Sequence, residues 1–310
     1  MNTTQRVIRA EAIFFSCAAV IVVAIIALFT FLGLQGLSTF RYTSPIEFFF
    51  GTTWNTNTGQ FGVIPLLYGS IMTVLISMII STPIAIGSAI YITEIANESV
   101  RQTLRVTVQM FAALPSVIYG LIALVAVVPW VRETFGAPLG KGILPAAIVL
   151  VFMVQPTIIS IASDALTSVP ESLREGATAL GATRWQTISK VLLRASGSGL
   201  LTALILGIGR AVGETMAVQM VIGNITQSVP KDLVSGASTM PSAIVTQLPE
   251  ASLPAQRTAL VMVAFLLLVI TFLLIVVVRQ LTSRRPSARV RRVAPAAAAA
   301  APVSARAGGA

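Results

Sequence analysis

The segment SGLLTALILGIGRAVGETMAVQMVIG, residues 198–223, combines an apolar stretch of membrane-spanning length with two opposite charges, Arg210 and Glu214. A helix needs about 20 mostly apolar residues to cross the hydrocarbon core of a bilayer. The chain as a whole has 310 residues, of which 55% are hydrophobic and 10% charged, and its mean hydropathy is +0.87. Soluble domains are about 25% charged. The sequence therefore predicts an integral membrane protein built from α-helices.

Six windows of the sequence are long and apolar enough to span a membrane. They cover residues 12–36, 63–93, 106–130, 142–163, 198–222 and 257–279. The first is too long for the core of a cleaved signal peptide and lacks a small-residue cleavage pattern, so we expect a retained helix. Prolines predict a tilt or break at Pro83 in the second window and kinks at Pro115 and Pro156 in the third and fourth.

The basic residues determine the expected orientation of these spans. With the N-terminus inside the cell, fifteen of the 21 Lys and Arg residues fall in cytoplasmic segments, five fall outside, and Arg210 lies within the membrane. Both termini are therefore predicted to be cytoplasmic. Segments 37–62 and 223–256 then lie outside, either as caps or docking elements over a pathway or as flexible connectors.

Three regions follow from this pattern. Residues 1–62 hold the first span and an outer loop, and residues 63–279 form a five-helix core that includes a cytoplasmic loop at 164–197. Residues 280–310 are a basic, Ala/Pro-rich tail that we expect to be disordered. The arginines of that tail suit the anionic headgroups of a lipid bilayer.

The net charge of +10 and the residue types present argue against several functions. Seven basic residues lie from Arg279 onward with no acidic residue or interleaved aromatic, so nucleic acid is not expected as a partner. With no histidine and one cysteine, Cys17, the chain has no internal disulfide, and no metal or other cofactor is expected. GAPLGKG (136–142) and GIGRAVG (207–213) miss the nucleotide-binding patterns. We therefore expect no catalytic residues and no ATP hydrolysis by this chain.

Arg210 and Glu214 are four residues apart, one turn apart on the same face of a helix. A lone charge at a helix centre costs about 2.5–3.5 kcal/mol on insertion scales, so we expect the two to neutralise each other. They form either a packing device between helices or, as we favour, part of a pathway in which Arg210 binds an oxyanion through its planar fork of donors. Gly209 and Gly213 form a GxxxG step on which another helix can pack closely.

The connection between the fourth and fifth spans, residues 164–197, has the pattern of two short helices. Ser168 and Glu171 have capping-box spacing, and Gly181 can supply the left-handed conformation that ends the helix they begin. A second amphipathic stretch follows at 185–193. Such a knob either inserts into a groove on a soluble partner or lies on the lipid surface as an interfacial helix.

Within this loop, EGATALGATRWQTISKVLL (175–193) is similar to the coupling loop of ATP-binding-cassette importer permeases. The matching positions are Glu175, Ala177, Gly181, Val191 and Leu193. Gly176 and Arg194 stand where that family usually has Ala and Pro. The resemblance implies that the loop, including Arg184 and Trp185 after its central glycine, docks on an ATPase and responds to its closure.

Three further stretches, GRAVGETMAVQMVIGN (209–224), ALPSVIYGLIAL (113–124) and YITEIA (91–96), resemble the C-type permeases (PstC) of bacterial phosphate-specific transporters. The resemblance implies six transmembrane helices in the type I importer permease (MetI-like) fold, in the bacterial plasma membrane, with Arg210 and Glu214 on a phosphate path. Polar residues near the prolines are expected to line that path as well: Ser116, Tyr119, Gln155 and Thr157.

The resemblance also implies partners. Importers of this kind present two coupling loops to an ATPase pair, and this chain has one, so a second, related permease (PstA-like) is expected. The remaining partners are an ATP-binding-cassette ATPase dimer (PstB-like) and an external phosphate-binding protein (PstS-like). Other interpretations stay open: a permease for another oxyanion such as molybdate or phosphonate, a channel or secondary carrier, a regulatory phosphate-sensing membrane subunit, and, least favoured, an intramembrane enzyme.

Overall fold

The computed structural model of the chain describes residues 3–56 and 58–283, so nearly all of the predicted tail lies outside the described residues. The described part is mostly helical. In chain order its helices are α1 Thr3–Leu37, α2 Pro45–Phe50, α3 Ile64–Ile90, α4 Glu98–Ala113, α5 Ser116–Val125, α6 Val127–Phe135, α7 Ile143–Thr167, α8 Glu171–Ala179, α9 Arg184–Gln186, α10 Leu193–Ala195, α11 Gly197–Gly213, α12 Met216–Ile222, α13 Met240–Gln247 and α14 Pro254–Ser283. A 3-10 turn covers Ser38–Arg41, and π-helical segments cover Tyr91–Ile95 and Thr187–Leu192. Strands β1 Trp54–Asn55 and β2 Gln60–Phe61 form an antiparallel hairpin.

The prediction of a helical membrane protein is confirmed, and where six spans were predicted the structure describes five or six. The helical stretches long and apolar enough to cross a bilayer are Ile13–Arg41, Ile64–Ile95, Ser116–Phe135, Ile143–Thr167 and Pro254–Val277. A sixth span follows if Arg184–Ala195 and Gly197–Gly213, which are bent by 70° at their junction, count together.

The third predicted window, 106–130, has the wrong boundaries. Its first part belongs to α4, an amphipathic helix without a buried residue, which ends at Ala113. Leu114 and Pro115 are both extended, with ψ of 131° and 140°, because a proline disfavours the helical conformation of the residue before it. The span therefore begins at Ser116, and Pro115 separates two helices instead of kinking one.

Helices α3 and α7 pack along each other and both continue through their internal prolines, Pro83 and Pro156. The expected break at Pro83 is therefore wrong. Close to Pro83, Gln155 Nε2 donates a hydrogen bond of 3.3 Å to the Ser81 carbonyl and so joins α7 to α3.

The core of the protein surrounds α7. In the span formed by α7, 61% of the residues in the most apolar window are buried. In the first span, which packs mainly on α14, the corresponding share is 6%. Helices α3, α4, α5, α11 and α12 all contact α7. Side chains on α7 consequently reach the interior, and this helix positions the candidate site.

Segments 37–62 and 223–256, which the sequence predicts to lie outside the cell, are folded in their described parts, so they are not flexible connectors there. Trp54 is fully buried, its Nε1 donates to Gln247 Oε1 at 2.8 Å, and its carbonyl accepts a 3.2 Å hydrogen bond from Thr226 Oγ1. The backbone at Ser238 packs directly on Gly69 of α3, where a Cβ would collide with the Ser238 carbonyl. Together these contacts hold the two segments as one cap over the end of the core at which Gly69 lies.

Candidate translocation site and coupling loop

Arg210 and Glu214 do not lie on one continuous helix. Helix α11 ends at Gly213, Glu214 has an extended backbone (φ −72°, ψ 128°), and α12 begins at Met216. The predicted fifth span therefore consists of two helices. The prediction that Arg210 and Glu214 form an ion pair one turn apart on a single helix is wrong. Glu214 Oε1 instead accepts a hydrogen bond of 3.0 Å from the Ala217 amide. The carboxylate thereby satisfies an orphan donor at the start of α12, which favours the break.

The side chain of Arg210 is hydrogen-bonded to α7, the helix at the centre of the core. Its Nη1 donates a hydrogen bond of 3.1 Å to Thr157 Oγ1 on α7, and no ion pair joins it to Glu214 in the part of the chain that the structure describes. Its Nε is buried without a hydrogen-bond partner. An unsatisfied buried donor costs about 1–3 kcal/mol, so an acceptor that reached this guanidinium would be stabilised there.

Two opposite stripes of α11 have different surroundings. The stripe that faces α7 is buried and consists of Leu200, Ala203, Gly207 and Ala211. The opposite stripe consists of Thr202, Leu206, Gly209 and Gly213 and is exposed or half-buried. Close helix packing within this chain occurs at Gly207, where a Cβ would lie 2.7 Å from Ile158 Cγ1; at Gly209 and Gly213 a Cβ would meet nothing within 4 Å. The close approach expected at Gly209 and Gly213 thus remains a prediction about another chain.

The other expected path residues are distributed unequally around Arg210. Thr157 contacts it directly. Tyr119 is buried on α5, and its hydroxyl donates to the Phe111 carbonyl at 2.7 Å. Gln155 Nε2 donates to the Ser81 carbonyl on α3, and Ser116 is half-buried at the start of α5. Of these four residues, the structure therefore shows Thr157 in contact with Arg210.

Sequence reasoning missed two polar groups. Gln219 on α12 has a buried Oε1 without a hydrogen-bond partner, and Glu94 follows α3 directly in the π-helical segment. In the sequence, a polar or acidic residue inside or beside an apolar run is the signal that would have indicated each. Among the described residues, no group of three or more His, Cys, Asp or Glu side chains comes together as a metal site.

The end of α8 has the conformation expected of the coupling loop. Gly181 has a φ of +78°, the Ala182 amide donates to the Ala177 carbonyl at 3.0 Å, and the Gly181 amide donates to the Thr178 carbonyl at 2.9 Å. This pair of hydrogen bonds is a Schellman motif, which reverses the chain after a helix. The predicted left-handed Gly181 is confirmed.

The capping box predicted at Ser168 is wrong. Ser168 Oγ donates back to the Ala165 carbonyl at 2.8 Å, and Pro170 stands at the N-cap of α8 without a side-chain cap. A serine at the end of a preceding helix can bond back into that helix instead of capping the next one. A capping box does form one element later, where Thr183 and Gln186 exchange hydrogen bonds around the start of α9.

The loop presents an apolar tip to its surroundings. Leu180 is 90% exposed and Trp185 is 65% exposed, while Glu175 is also on the surface and Ala177 is buried beneath them. Large apolar side chains clustered on a surface mark an interaction site. The expected docking residues Glu175, Trp185 and Gly181 thus lie on an accessible surface.

Two contacts fix this loop to Glu94, in the segment that directly follows α3, and a third contact fixes it to α7. Arg174 forms an ion pair with Glu94, whose side chain is 9% exposed, and Arg174 Nη2 also donates to the Leu166 carbonyl at 3.1 Å. Arg184, expected to face an ATPase, donates to the Glu94 carbonyl. Glu94 therefore joins the loop to the end of α3.

At the end of the core opposite this loop, a cavity of about 470 Å³ separates the α6–α7 connection from segment 223–256. Lys141, Lys231 and Asp232 are among its lining residues. The Ser235 hydroxyl donates to Asp232 Oδ1 at 2.6 Å, and this hydrogen bond lowers the pKa of Asp232 from its usual value.

Comparison with known proteins shows which family and which relatives this chain is similar to. A model of the family "Binding-protein-dependent transport system inner membrane component" matches residues 81–286. The chain is 40% identical to the probable ABC transporter permease protein YqgH of Bacillus subtilis, over 90% of this chain and 91% of that protein. It is 35% identical to the phosphate transport system permease protein PstC of Xylella fastidiosa (72% and 74% covered) and 32% identical to PstC of Mesorhizobium japonicum (86% and 90% covered).

Solved structures share the fold. A chain of a bacterial alginate ABC transporter aligns with a TM-score of 0.64 at 13% identity, covering 92% of this chain and 98% of that one. A chain of the MetNI methionine ABC transporter aligns with a TM-score of 0.58 at 21% identity, covering 72% and 95%. The type I permease fold is therefore confirmed. On the family match and these relatives, the chain belongs to the inner-membrane permease components of binding-protein-dependent transport systems.

Proposed function

We propose that the chain is the permease subunit of an ATP-driven importer of inorganic phosphate and forms half of its translocation pathway. The observation that carries this proposal is Arg210, a cation within an apolar core, bonded to Thr157 and left with a buried, unpartnered Nε. It lies beside the open stripe of α11. Relatives named phosphate transport permeases, 32–35% identical over most of the chain, support phosphate as the oxyanion.

The break after Gly213 gives the site two kinds of group. Arg210 donates hydrogen bonds, and Glu214 offers a carboxylate that accepts them. Phosphate near neutral pH carries both unprotonated oxygens and a P–OH group, so it can accept from the arginine and donate to the carboxylate. In this conformation Thr157, and not Glu214, holds Arg210, so an arriving anion exchanges with a hydroxyl instead of breaking an ion pair.

Energy is supplied by other chains. We infer an ATPase pair (PstB-like) that receives the apolar tip around Leu180 and Trp185, and a second permease (PstA-like) that covers the stripe containing Gly209 and Gly213. An external phosphate-binding protein (PstS-like) delivers the anion. Closure of the ATPases moves the coupling loop and, through Arg174 and Glu94, the end of α3. A channel or secondary carrier has no use for such a loop, which favours the importer.

The test is uptake of labelled phosphate into vesicles that contain the reconstituted assembly. ATP and the binding protein are each omitted in turn, and arsenate, sulfate and molybdate are added as competitors. We expect uptake to require both, and arsenate to compete best. Arg210→Gln should abolish uptake while the subunits still co-purify.

Arg132→Gln is the matched control, because Arg132 is an exposed arginine on α6. It should transport at the wild-type rate. Normal uptake by Arg210→Gln, or uptake by the wild type that continues after ATP depletion, would show that the proposal is wrong.

A further inference from the structure

We propose that the chain holds a second oxyanion site, nearer the coupling loop than Arg210, in a cavity between α4 and α7 that Arg105 and Asp164 both line. This inference rests on the proposed function, because it assigns the next position that the transported phosphate occupies.

The cavity is polar and has room for a small anion. Its volume is about 140 Å³, several times the roughly 10–15 Å³ that a single water requires. Helix α4 contributes Arg105 and Gln109, which are four residues apart and share a face, while α7 contributes Ser160, Ser163 and Asp164.

The cavity continues the face of α7 that holds Arg210. Thr157, Ser160 and Asp164 follow one another at intervals of three and four residues, so they line one side of the helix. At a rise of 1.5 Å per residue, Asp164 lies about 10 Å from Thr157 along α7. Ser160 and Asp164 are exposed and Thr157 is half-buried. An anion released by Arg210 therefore has a polar surface to follow towards the coupling loop.

The groups around the cavity complement a protonated oxyanion. Ser163 is 6% exposed, and its Oγ has no hydrogen-bond partner. Arg105 forms no ion pair with Asp164 in the described part of the chain, so its donors remain available. Arginine, glutamine and serine donate to the unprotonated oxygens of an anion, and the Asp164 carboxylate accepts from an O–H group.

This arrangement discriminates between anions. Phosphate and arsenate keep a proton near neutral pH and can donate it to Asp164. Sulfate has no proton to donate, so its oxygens would face the carboxylate with like charge, which is unfavourable. Arg105 with Asp164 thereby repeats the donor-and-carboxylate combination of Arg210 with Glu214, and we infer that both sites select a protonated oxyanion.

The experiment combines uptake with equilibrium binding of labelled inorganic phosphate to the complete assembly in nanodiscs of neutral lipid. Arg105→Gln should lower uptake at least ten-fold and remove one class of bound phosphate, while the ATPase activity stimulated by the binding protein remains. Asp164→Asn should allow sulfate to displace phosphate from that class, which it should not do in the wild type. Thr103→Val, on the other side of α4, is the control and should change neither measurement.

Each outcome decides a separate question. If the wild type shows no ATP-dependent phosphate uptake, the proposed function fails first. If the wild type transports and Arg105→Gln binds and transports normally, the second site alone is wrong. The same measurements are repeated in nanodiscs that contain anionic lipid, and an effect of Arg105→Gln seen only there would assign the cavity to lipid headgroups and overturn the proposal. Should Arg105→Gln fail to assemble, Ser163→Ala, which removes the unpartnered hydroxyl without altering charge, must weaken phosphate binding for the proposal to stand.

Discussion

The hydroxyl of Thr157 on α7 holds the guanidinium of Arg210 on α11 through a hydrogen bond of 3.1 Å, and Glu214 is turned away to the start of α12. The cation of the proposed path is thus positioned by a neutral group on α7, the most buried of the described candidate spans. A neutral partner leaves the arginine its full charge for an anion, whereas a carboxylate at contact distance would compensate it.

The first prediction concerns this hydrogen bond. Thr157→Val keeps the shape of the side chain and removes the hydroxyl. A hydrogen bond to a charged group contributes about 1.5–3 kcal/mol, so we expect phosphate uptake to fall by about 10- to 100-fold. Initial uptake rates in reconstituted vesicles measure the effect.

Thr157→Ser is the matched control, because it retains a hydroxyl at the same position and should keep most of the activity. Equal losses in both variants would mean that packing of the Thr157 methyl group, and not the bond to Arg210, governs transport.

The second prediction concerns the attachment of the coupling loop to α3. Glu94 and Arg174 have side chains that are 9% and 20% exposed. Removing one member of a buried ion pair costs about 3–5 kcal/mol because the other charge is left uncompensated. Glu94→Gln should therefore lower the thermal stability of the assembly and reduce the phosphate transported per ATP hydrolysed.

Exchange of the two charges, with Glu94→Arg and Arg174→Glu in one chain, should recover part of both quantities. Glu98→Gln serves as the comparison, because the side chain of Glu98 is 81% exposed in its ion pair with Arg101. Coupling that stays at the wild-type ratio in Glu94→Gln would argue that the loop acts on the core by another route.

The third prediction compares two glycines of the loop. Gly176 lies within α8, where a Cβ would meet nothing within 4 Å, so Gly176→Ala should stabilise that helix by about 1 kcal/mol. Gly181 has a φ of +78°, so Gly181→Ala should destabilise the end of α8 by about 1–2 kcal/mol. Hydrogen exchange of the α8 amides should slow in the first variant and accelerate in the second. The same direction of change in both would contradict the assigned conformation of Gly181.

The fourth prediction separates packing within the chain from packing on a partner. Gly207→Leu should destabilise the isolated chain, because a Cβ at this position already lies 2.7 Å from Ile158 Cγ1. Gly209→Leu should leave the isolated chain stable, because the space beside it is open, yet it should reduce co-purification with the second permease or block uptake. Thermal unfolding and pull-down of both variants measure this difference. If the Gly209→Leu variant assembles and transports normally, the stripe that contains Gly209 and Gly213 belongs to neither the interface nor the path.

Much of this protein was predictable from its sequence. The apolar windows required a helical membrane protein because unpaired backbone groups cannot remain in hydrocarbon. The glycine at 181 indicated a left-handed helix end because other residues adopt that conformation at a cost. The residues around Arg210 and the coupling-loop pattern indicated the family.

Only the tertiary structure determined which group each charged side chain contacts. Hydrophobicity could not distinguish α4 from the span that follows it, since both contribute apolar residues to the same window. Four-residue spacing predicted that Arg210 and Glu214 would pair, but that spacing implies contact only if the helix is continuous. The helix ends at Gly213, and the partner of Arg210 comes from Thr157, more than fifty residues away in the sequence. The same holds for Arg174 and Glu94, which are 80 residues apart and meet only because the fold brings the first turns of α8 beside the segment that follows α3.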